Sequence, residues 1–523
     1  MSDGGTLFDL VIHGGWVVDG TGAPPTRLDV GVAGGRIAAL GRLDTMTAGA
    51  VVDAANRYVC PGFVDAHAHA DAAVLDRDMQ VAALRQGVTT VVVGQDGISY
   101  APATRAALDF VTRYFAGVNG THPELEGPVT VGELLATWRG TTALNTAYLV
   151  PHGTVRFSVL GGADRAPTPD ELGAMRRMVE EGLAEGAVGL STGLEYLPGR
   201  YGQVDEIAEL CRPVAAAGLP YVTHMRGYGV AAARGMAEVR AIAAAGDVAP
   251  HVSHYVGPTE PLVAMVDEAR GAGVDLTFDS YPYQRASTVL TMVALPAWLD
   301  DPDLDRTVDR LGEPAVRDRF AAETDPALWP RITLAHVPDP EWRWAEGRRL
   351  VDVAAEAERE PADVCADLLV ATRLAVSVVF ERAPATTEES VRALMRHPAH
   401  MGGSDGIYIG RHPHPRGWAT FARFLARHVR ELGDWTWEQA AVHLAAHPAR
   451  RFGLTDRGLI RPGLAADLAV IDPVRVADLA DYATPREPAA GVDDVVVNGI
   501  QVLRAGQLTG EQPGQPLRPY PGG

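Results

Sequence analysis

The sequence predicts an α/β protein whose main part is a (β/α)8 TIM barrel. In the middle of the chain, eight short apolar segments typical of strands alternate with stretches rich in alanine, arginine and glutamate that are typical of helices. The two ends have a different pattern, in which β-branched and polar residues alternate between glycine and aspartate turn signals. We therefore expect a barrel in the middle and a small β domain made from both ends.

The small β domain is predicted to be a β-sandwich that combines residues 1–60 and 456–523. Its N-terminal part contains strand-like segments such as LFDLVIHGG and VVDAANRYV. Its C-terminal part contains similar strand-like segments, GLIRPGLAADLAVID and VDDVVVNGIQVLRAG, before a tail rich in proline and glycine. Because the barrel separates these two parts in sequence, we expect them to pair in space.

The barrel is predicted at residues 61–455. Its eight candidate strands are, in chain order, GFVDAHAHA, TTVVVGQD, NTAYLVPHG, VGLSTGLEY, PYVTHMR, PHVSHYV, VDLTFDSYPY and AHMGGSD. The interval between the last two candidates is long, at about 290–395, and contains the strand-like pieces RITLAHV and LAVSVVF beside helical stretches. We expect this interval to form an insertion before the last strand, over the barrel mouth.

Composition excludes several classes of function. The 523 residues include 46 basic and 66 acidic side chains, which give a formal net charge of −20. Nucleic acids and anionic membranes both need a basic face, so neither is expected as the main partner. All the basic residues are arginines, since the sequence contains no lysine. This excludes a Schiff-base or pyridoxal-phosphate lysine, a P-loop lysine and a carbamylated lysine between two metals.

The cysteines and the N-terminus indicate an intracellular protein without disulfides. Cys60, Cys211 and Cys365 are odd in number, far apart and without metal-type spacing. The first residues lack the basic region and apolar run of a signal peptide, and no stretch approaches the roughly 18 to 20 apolar residues of a spanning helix. We expect a cytoplasmic protein, and we leave open whether it forms a homo-oligomer.

Histidines and aspartates occur at the ends of several candidate barrel strands. His67 and His69 are two residues apart, and residues i and i+2 of a strand share a face. His224 and His254 end the fifth and sixth strands, 30 residues apart, while Asp96 and Asp405 end the second and eighth. The carboxyl ends of barrel strands meet at one rim, so these four imidazoles and two carboxylates are predicted to converge. Such a set is suited to zinc.

The order of these motifs resembles the amidohydrolase superfamily, and the flanking text resembles its D-aminoacylase (N-acyl-D-amino-acid deacylase) family most. The segments that carry the resemblance are DLVIHGGWVVDGTG, CPGFVDAHAHAD, GVTTVVVG, GLSTGLEYLPG, THMR, SHY, DSYPY, SDG with HPR following, and PARRFGLTDRGLIRPGLAADLAVID. They run over nearly the whole chain and are weakest in the predicted insertion.

The resemblance implies a zinc centre with one or two ions. The zinc ligands would be His67, His69, His224 and His254, and Asp405 would be the general base and acid. Asp96 occupies the place where the family commonly has a bridging cysteine, and a carboxylate can also bind zinc there as a harder ligand. Glu195, at the end of the fourth strand, is a second candidate for a bridging ligand. The number of metal ions is left open.

The resemblance also implies an N-acyl amino acid substrate. The family often has a lysine two places after the histidine of the sixth strand, where this chain has Val256. The arginine of the HPR motif is present as Arg416, which could hold a substrate carboxylate with two parallel hydrogen bonds. Tyr196 and Tyr283 match tyrosines that the family has near the substrate. The implied reaction hydrolyses the amide of an N-acyl-D-amino acid to a carboxylate and a free D-amino acid.

Two alternatives stay open at this point. The first is another amide or cyclic-imide hydrolase, of the hydantoinase, dihydroorotase or dipeptidase type; the cyclic amidases usually rely on a carbamylated lysine. The second is a barrel without catalytic activity that serves in assembly or binding, but such a protein would be expected to lose part of its ligand set. The D configuration follows from the resemblance alone.

Overall fold

The computed structural model describes residues 7–382 and 386–519, and over these ranges the chain is an α/β protein. Residues 1–6 and 520–523, at the ends of the predicted β domain, and residues 383–385, in the predicted insertion, lie outside the described residues.

The strands are β1 (Phe8–Val17), β2 (Thr26–Ala33), β3 (Arg36–Gly41), β4 (Ala48–Asp53), β5 (Tyr58–Pro61), β6 (Phe63–Asp65), β7 (Ala68–His69), β8 (Val88–Val93), β9 (Asn145–Tyr148), β10 (Val150–Pro151), β11 (Leu190–Gly193), β12 (Tyr221–His224), β13 (Pro250–Val252), β14 (Thr277–Ser280), β15 (Arg285–Val289), β16 (Ile332–His336), β17 (Ser377–Glu381), β18 (His400–Gly402), β19 (Gly406–Ile407), β20 (Leu468–Ile471), β21 (Val492–Val497), β22 (Ile500–Arg504) and β23 (Gln507–Leu508).

The α-helices are α1 (Arg77–Leu84), α2 (Arg105–Tyr114), α3 (Ala116–Asn119), α4 (Val131–Trp138), α5 (His152–Leu160), α6 (Pro169–Glu185), α7 (Val204–Ala216), α8 (Ala232–Gly246), α9 (Thr259–Gly271), α10 (Leu290–Ala294), α11 (Leu304–Leu311), α12 (Pro314–Glu323), α13 (Leu350–Glu356), α14 (Pro361–Ala371), α15 (Glu388–Met395), α16 (Arg416–Arg423), α17 (Trp437–Ala441) and α18 (His447–Arg451).

Each of the eight strand segments predicted for the middle of the chain contains a strand, and these strands pair in parallel. One ladder runs β6–β8–β9 and another runs β10–β11–β12–β13–β14–β18. The two ladders meet in the third segment, where β9 and β10 are separated only by Leu149. The first and eighth segments also meet, because the amide of Ala66 donates to the carbonyl of Gly402 at 3.1 Å and β7 pairs with β19.

The composition of these strands explains why they lie at the centre. All six residues of β8 (VTTVVV) are buried, as expected for a parallel strand covered on both faces. The intervening helices carry ordinary boundary signals. In α6, for example, Thr168 and Glu171 form a capping box around Pro169, and Gly186 ends the helix with a φ of 119°.

The strands from the two ends of the chain share one sheet. Its order is β23–β22–β21–β20–β5–β1–β2–β3, with β4 parallel to β1. The ends of the chain join where β5 pairs antiparallel with β20. Hydrogen bonds link these nine strands continuously, because β5 pairs with β1 as well as with β20. The packing of these strands as a β-sandwich stays a prediction. A separate apolar core lies against this sheet and includes Ile12, Val30 and Val470.

The interval between the seventh and eighth parallel strands has a sheet of its own. Strands β15, β17 and β16 pair antiparallel in that order, with helices α10 to α14 around them. This unit begins at Arg285 rather than at about 290, because Arg285–Val289 pairs with Ser377–Glu381. In the described ranges, none of the helices has the length and apolarity needed to cross a membrane.

Candidate active site

Two pairs of histidines meet at the carboxyl ends of the parallel strands. The first pair, His67 and His69, follows β6 and lies in and before β7. The second pair consists of His224, which ends β12, and His254, which follows β13. All four side chains are buried.

The Asp96 carboxylate lies between the two pairs. Its Oδ1 is 3.7 Å from Nε2 of His67 and 3.7 Å from Nε2 of His254. Its Oδ2 is 3.6 Å from Nε2 of His69 and 3.7 Å from Nδ1 of His224. One carboxylate therefore faces both pairs, and the donor atoms fall into two groups that could each hold a metal ion and that share Asp96.

A short turn after β8 presents Asp96. The turn spans Gln95–Gly97, and Asp96 has a φ of 56°, in the left-handed region that side chains other than glycine seldom adopt. Neighbouring backbone holds this conformation, because a Cβ atom on Gly193 of β11 would overlap the carbonyl oxygen of Asp96. His254 and Asp405 also have positive φ values, of 36° and 51°. Strained backbone of this kind is concentrated at functional sites.

Other side chains orient the histidines through their second ring nitrogens. Asp279, at the end of the seventh strand segment, lies 3.5 Å from Nδ1 of His67 and accepts a hydrogen bond from the amide of His254 at 2.8 Å. Asn119 lies 3.1 Å from Nδ1 of His69. Glu195 lies 2.9 Å from Nε2 of His224, on the opposite side of the ring from Asp96. Metal-binding histidines usually have such partners.

Glu195, the second candidate for a bridging ligand, is placed differently from Asp96. Its carboxylate contacts the outer nitrogen of His224, and its side chain is 33% exposed. Among the described residues, Asp96 is the carboxylate that both histidine pairs face at 3.6–3.7 Å. The geometry therefore favours Asp96 for the bridging position and a positioning role for Glu195.

The electrostatics of the site favour a cation between the carboxylates and the imidazoles. Burial lowers the pKa of His69, but Asp405 and Asp96 raise it to about 10. Burial likewise opposes the protonation of His224, whose pKa Asp96 and Glu195 raise to about 9. Burial raises the pKa of Asp96, yet the surrounding histidines hold it well below its usual range. The same fields that hold protons on these rings would hold a metal ion when the protons leave.

Asp405 lies beside the first histidine pair. Its Oδ1 is 3.3 Å from Nε2 of His69 and 3.7 Å from Nε2 of His67. Its Oδ2 forms an ion pair with Nη1 of Arg416 at 2.8 Å. Burial raises the pKa of Asp405, but the Arg416 guanidinium and His69 lower it to about 2. Asp405 is therefore ionised near neutral pH.

A cavity of about 500 Å³ opens onto this cluster. Its floor includes His69, Asp96, His224, His254 and Asp405, and its walls include Phe115, Val118, Met292, Phe380 and Ile407. Two arginines, Arg331 and Arg382, reach it from the sheet of the insertion. A pocket of this size with mainly apolar walls and a few convergent polar groups is suited to a small molecule.

Of the three residues predicted to contact substrate, Tyr196 lines the cavity, whereas Tyr283 and Arg416 do not. Tyr196 lines the cavity, and its hydroxyl lies 2.9 Å from that of Thr288. Tyr283 is buried outside the cavity wall, whereas Tyr281 lines it. Arg416 has 0% exposure and is held by Asp405 and by the carbonyl of Ser287, so it does not line the cavity either.

Sequence reasoning missed three residues around the site. Asp279 could have been found, because it stands at a strand end in the DSYPY motif like the other acidic candidates. Asn119 and Arg382 could not, because Asn119 ends α3, Arg382 follows β17, and only tertiary packing brings these elements to the rim. Their sequence surroundings carry no comparable signal.

Comparison with known proteins gives a consistent set of matches. The model of the family described as "Amidohydrolase family" matches residues 50–503. An N-acyl-D-glutamate deacylase of Alcaligenes xylosoxydans xylosoxydans is 35% identical, over 98% of this chain and 96% of that protein.

Two solved structures match over the whole length. The crystal structure of N-acyl-D-glutamate deacylase from Bordetella bronchiseptica, complexed with zinc and a phosphonate mimic of the tetrahedral intermediate, has a TM-score of 0.81 at 33% identity and covers 98% of this chain and 99% of its own. A D-aminoacylase structure concerned with the role of a binuclear metal centre has a TM-score of 0.80 at 33% identity and covers 98% and 100%.

Proposed function

The chain belongs to the amidohydrolase family, and from this premise we propose that it hydrolyses the amide bond of N-acyl-D-amino acids, giving a carboxylate and a free D-amino acid. The proposal rests on the position of Asp96, whose carboxylate faces two buried histidine pairs beside an ionised Asp405. The D configuration rests on the matched relatives, an N-acyl-D-glutamate deacylase and a D-aminoacylase.

The residues of the site fit zinc. Nε2 of His67 and Oδ1 of Asp96 are buried and have no hydrogen-bond partner in the part of the chain that is described. Buried polar atoms without partners are costly, and a metal ion would satisfy them. Imidazole nitrogens and carboxylate oxygens are common zinc ligands. His67 and His69 would hold one ion, His224 and His254 a second, and Asp96 would serve both, so the centre can take one or two ions.

When bound, zinc would lower the pKa of water and polarise the acyl carbonyl of the substrate. Asp405 accepts the proton of the attacking water on a carboxylate oxygen, because its low pKa keeps it ionised. It then donates that proton to the amide nitrogen as the C–N bond breaks, so that the amino acid leaves as an amine. Arg416 fixes the Asp405 carboxylate through the 2.8 Å ion pair.

Substrate contacts follow from the cavity walls. Tyr196 borders the cavity beside His224, with ring centroids 4.8 Å apart, and is suited to pack against the acyl group or the side chain of the substrate. Arg416 could contact the substrate carboxylate only if its guanidinium moved partly away from Asp405, with which it forms an ion pair. We retain Tyr283 as a support for this wall rather than a direct contact, because it is buried and absent from the cavity lining, whereas Tyr281 lines the cavity.

We also propose that residues 61–455 form a closed (β/α)8 barrel. The parallel ladders β6–β8–β9 and β10–β11–β12–β13–β14–β18, together with the contacts between the first and eighth segments, support this barrel. Residues 1–60 and 456–523 would form the accompanying β domain. The sheet of the insertion would cover the barrel mouth, since Phe380 and Arg382 line the cavity.

A substrate screen tests the proposed function. The zinc-loaded protein is incubated with N-acetyl and N-formyl derivatives of D- and L-amino acids, with hydantoins and with dipeptides. Release of free D-amino acids, with little from the L series, is the expected result. Ring opening of hydantoins without deacylation would overturn the proposal in favour of a cyclic amidase.

A further inference from the structure

The strand β17 brings an arginine to the cavity that none of the motifs contains. Arg382 follows β17 directly and lines the cavity together with Phe380 of that strand. Its Nη2 donates to the hydroxyl of Tyr281 at 2.9 Å. Its Nη1 is buried and has no hydrogen-bond partner within residues 7–382 and 386–519. A guanidinium nitrogen in this state has the capacity to bind an anion.

The other candidate cations for a substrate carboxylate are occupied or absent. The place of the family lysine holds Val256, an apolar residue of the cavity wall. Arg416 is fully buried and already paired with Asp405. Arg331 borders the cavity, but its Nε donates to the carbonyl of Glu381 at 2.7 Å.

Tyr281 connects Arg382 with Arg416, the partner of Asp405. The Arg416 guanidinium stacks over the Tyr281 ring at 4.7 Å, while Arg382 binds the hydroxyl of the same ring. Val256 and Tyr281 also border one small cavity next to His254. A carboxylate held by Arg382 would therefore lie on the side of the active site where a longer cationic side chain at position 256 would have reached.

We propose that Arg382 binds the α-carboxylate of the N-acyl amino acid and takes over the role of the missing lysine; this inference rests on the proposed function. The guanidinium offers two parallel donors, which suit a carboxylate better than a point charge does. The hydroxyl of Tyr281 fixes the guanidinium plane. The insertion thus supplies the cationic group for substrate binding, whereas the parallel strands supply the metal ligands.

Binding of unreactive ligands tests this role separately from turnover. The first ligand is the ketone in which a methylene replaces the amide nitrogen of N-acetyl-D-leucine, and the second is the same ketone without its carboxylate. Their dissociation constants are measured by calorimetry on zinc-loaded wild type, Arg382→Met and Arg382→Lys. Arg285→Met is the matched control, because Arg285 lies on the neighbouring strand, pairs with Glu381 and is absent from the cavity wall.

We expect Arg382→Met to weaken the carboxylate ligand about 10- to 100-fold and the neutral ligand less than threefold. Arg382→Lys should lose less, since it keeps the charge, and Arg285→Met should resemble wild type. Equal weakening of both ligands by Arg382→Met and Arg382→Lys would overturn the proposal, as would a wild type that does not prefer the carboxylate. Binding preference without release of D-amino acids would instead refute the deacylase function and leave the anion site intact.

Discussion

Asp96 is the residue on which the metal hypothesis depends. Four imidazoles face its two oxygens at 3.6–3.7 Å, so its removal would leave each histidine pair with one ligand fewer. We expect Asp96→Ala to lower the zinc content after dialysis by at least one ion per chain. Glu195→Gln should retain more zinc, because Glu195 contacts the outer nitrogen of His224. Metal analysis of both variants decides this, and equal, unchanged zinc in both would rule out Asp96 as a ligand.

Asp405 is expected to carry the proton transfers. Asparagine keeps the shape of the side chain but cannot accept the proton of the attacking water. Asp405→Asn should therefore reduce kcat by roughly 10³-fold or more while zinc remains bound. Steady-state kinetics with metal analysis check this prediction. Activity within tenfold of wild type would remove Asp405 from the role of base.

Reasoning from the sequence found the histidines and aspartates that converge at the rim because they share one physical property, their place at strand ends. Parallel strands bring their carboxyl ends to one rim, so His224 and Asp405 could be predicted to converge although 180 residues separate them. The contacts between side chains could not be predicted. That Arg416 pairs with Asp405, or that Tyr281 rather than Tyr283 faces the cavity, depends on rotamers and on the packing of the insertion.

At the scale of elements, the turn Gln95–Gly97 depends on the neighbouring strand β11. Gly193→Ala would place a methyl group against the carbonyl oxygen of Asp96, so the turn would have to move. Overpacking of this kind costs about 1–3 kcal/mol, and here it would displace the central ligand. We expect Gly193→Ala to lose zinc and at least tenfold in kcat/KM.

Gly173→Ala is the matched control for this variant. Gly173 lies inside α6, and its nearest neighbour for a new methyl group is a side-chain nitrogen of Arg177 at 3.7 Å. Alanine favours a helix over glycine by up to about 1 kcal/mol, so this variant should keep its activity and melt no lower than wild type. A Gly193→Ala enzyme with wild-type zinc and kinetics would show that the turn does not depend on this close approach.

The predicted elements and the observed ones differ mainly where pairing partners are distant. The α/β class is confirmed, and each predicted strand of the middle region is present. The sequence predicts a seventh strand that ends at Tyr283 and an insertion that begins at about 290, and it predicts no strand for Arg285–Val289. In the structure they pair with Ser377–Glu381, almost 100 residues later, and such long-range pairing leaves no local signal.

At the scale of the whole molecule, buried neutral histidines predict acid sensitivity. Burial lowers the pKa of His443 to about 4 and that of His447 to about 3, and the Nδ1 atoms of both donate to the carbonyl of His400. The unfolded chain, with histidine pKa values near 6.5, binds these protons first. The free energy of unfolding should therefore fall as pH falls from about 6.5 to 4, by up to about 1.4 kcal/mol per pH unit for each histidine.

His443→Gln tests this dependence. Glutamine can donate to the same carbonyl but does not titrate, so the variant should lose less of its unfolding free energy between pH 7 and pH 4.5. Urea unfolding at several pH values measures the difference. His13→Gln, at a side chain with 52% exposure, is the control. If His443→Gln keeps the full pH dependence of wild type, His443 is not a cause of it.

We expect the chain to work as a metal-dependent deacylase whose strand-end histidines and Asp96 hold zinc. The most direct test titrates the metal-free protein with zinc while the deacetylation of an N-acetyl-D-amino acid is followed. We predict no turnover without zinc and an increase that reaches its maximum at one or two zinc ions per chain. Full turnover by the metal-free protein, or tight zinc binding without any turnover on any N-acyl-D-amino acid, would contradict the claim.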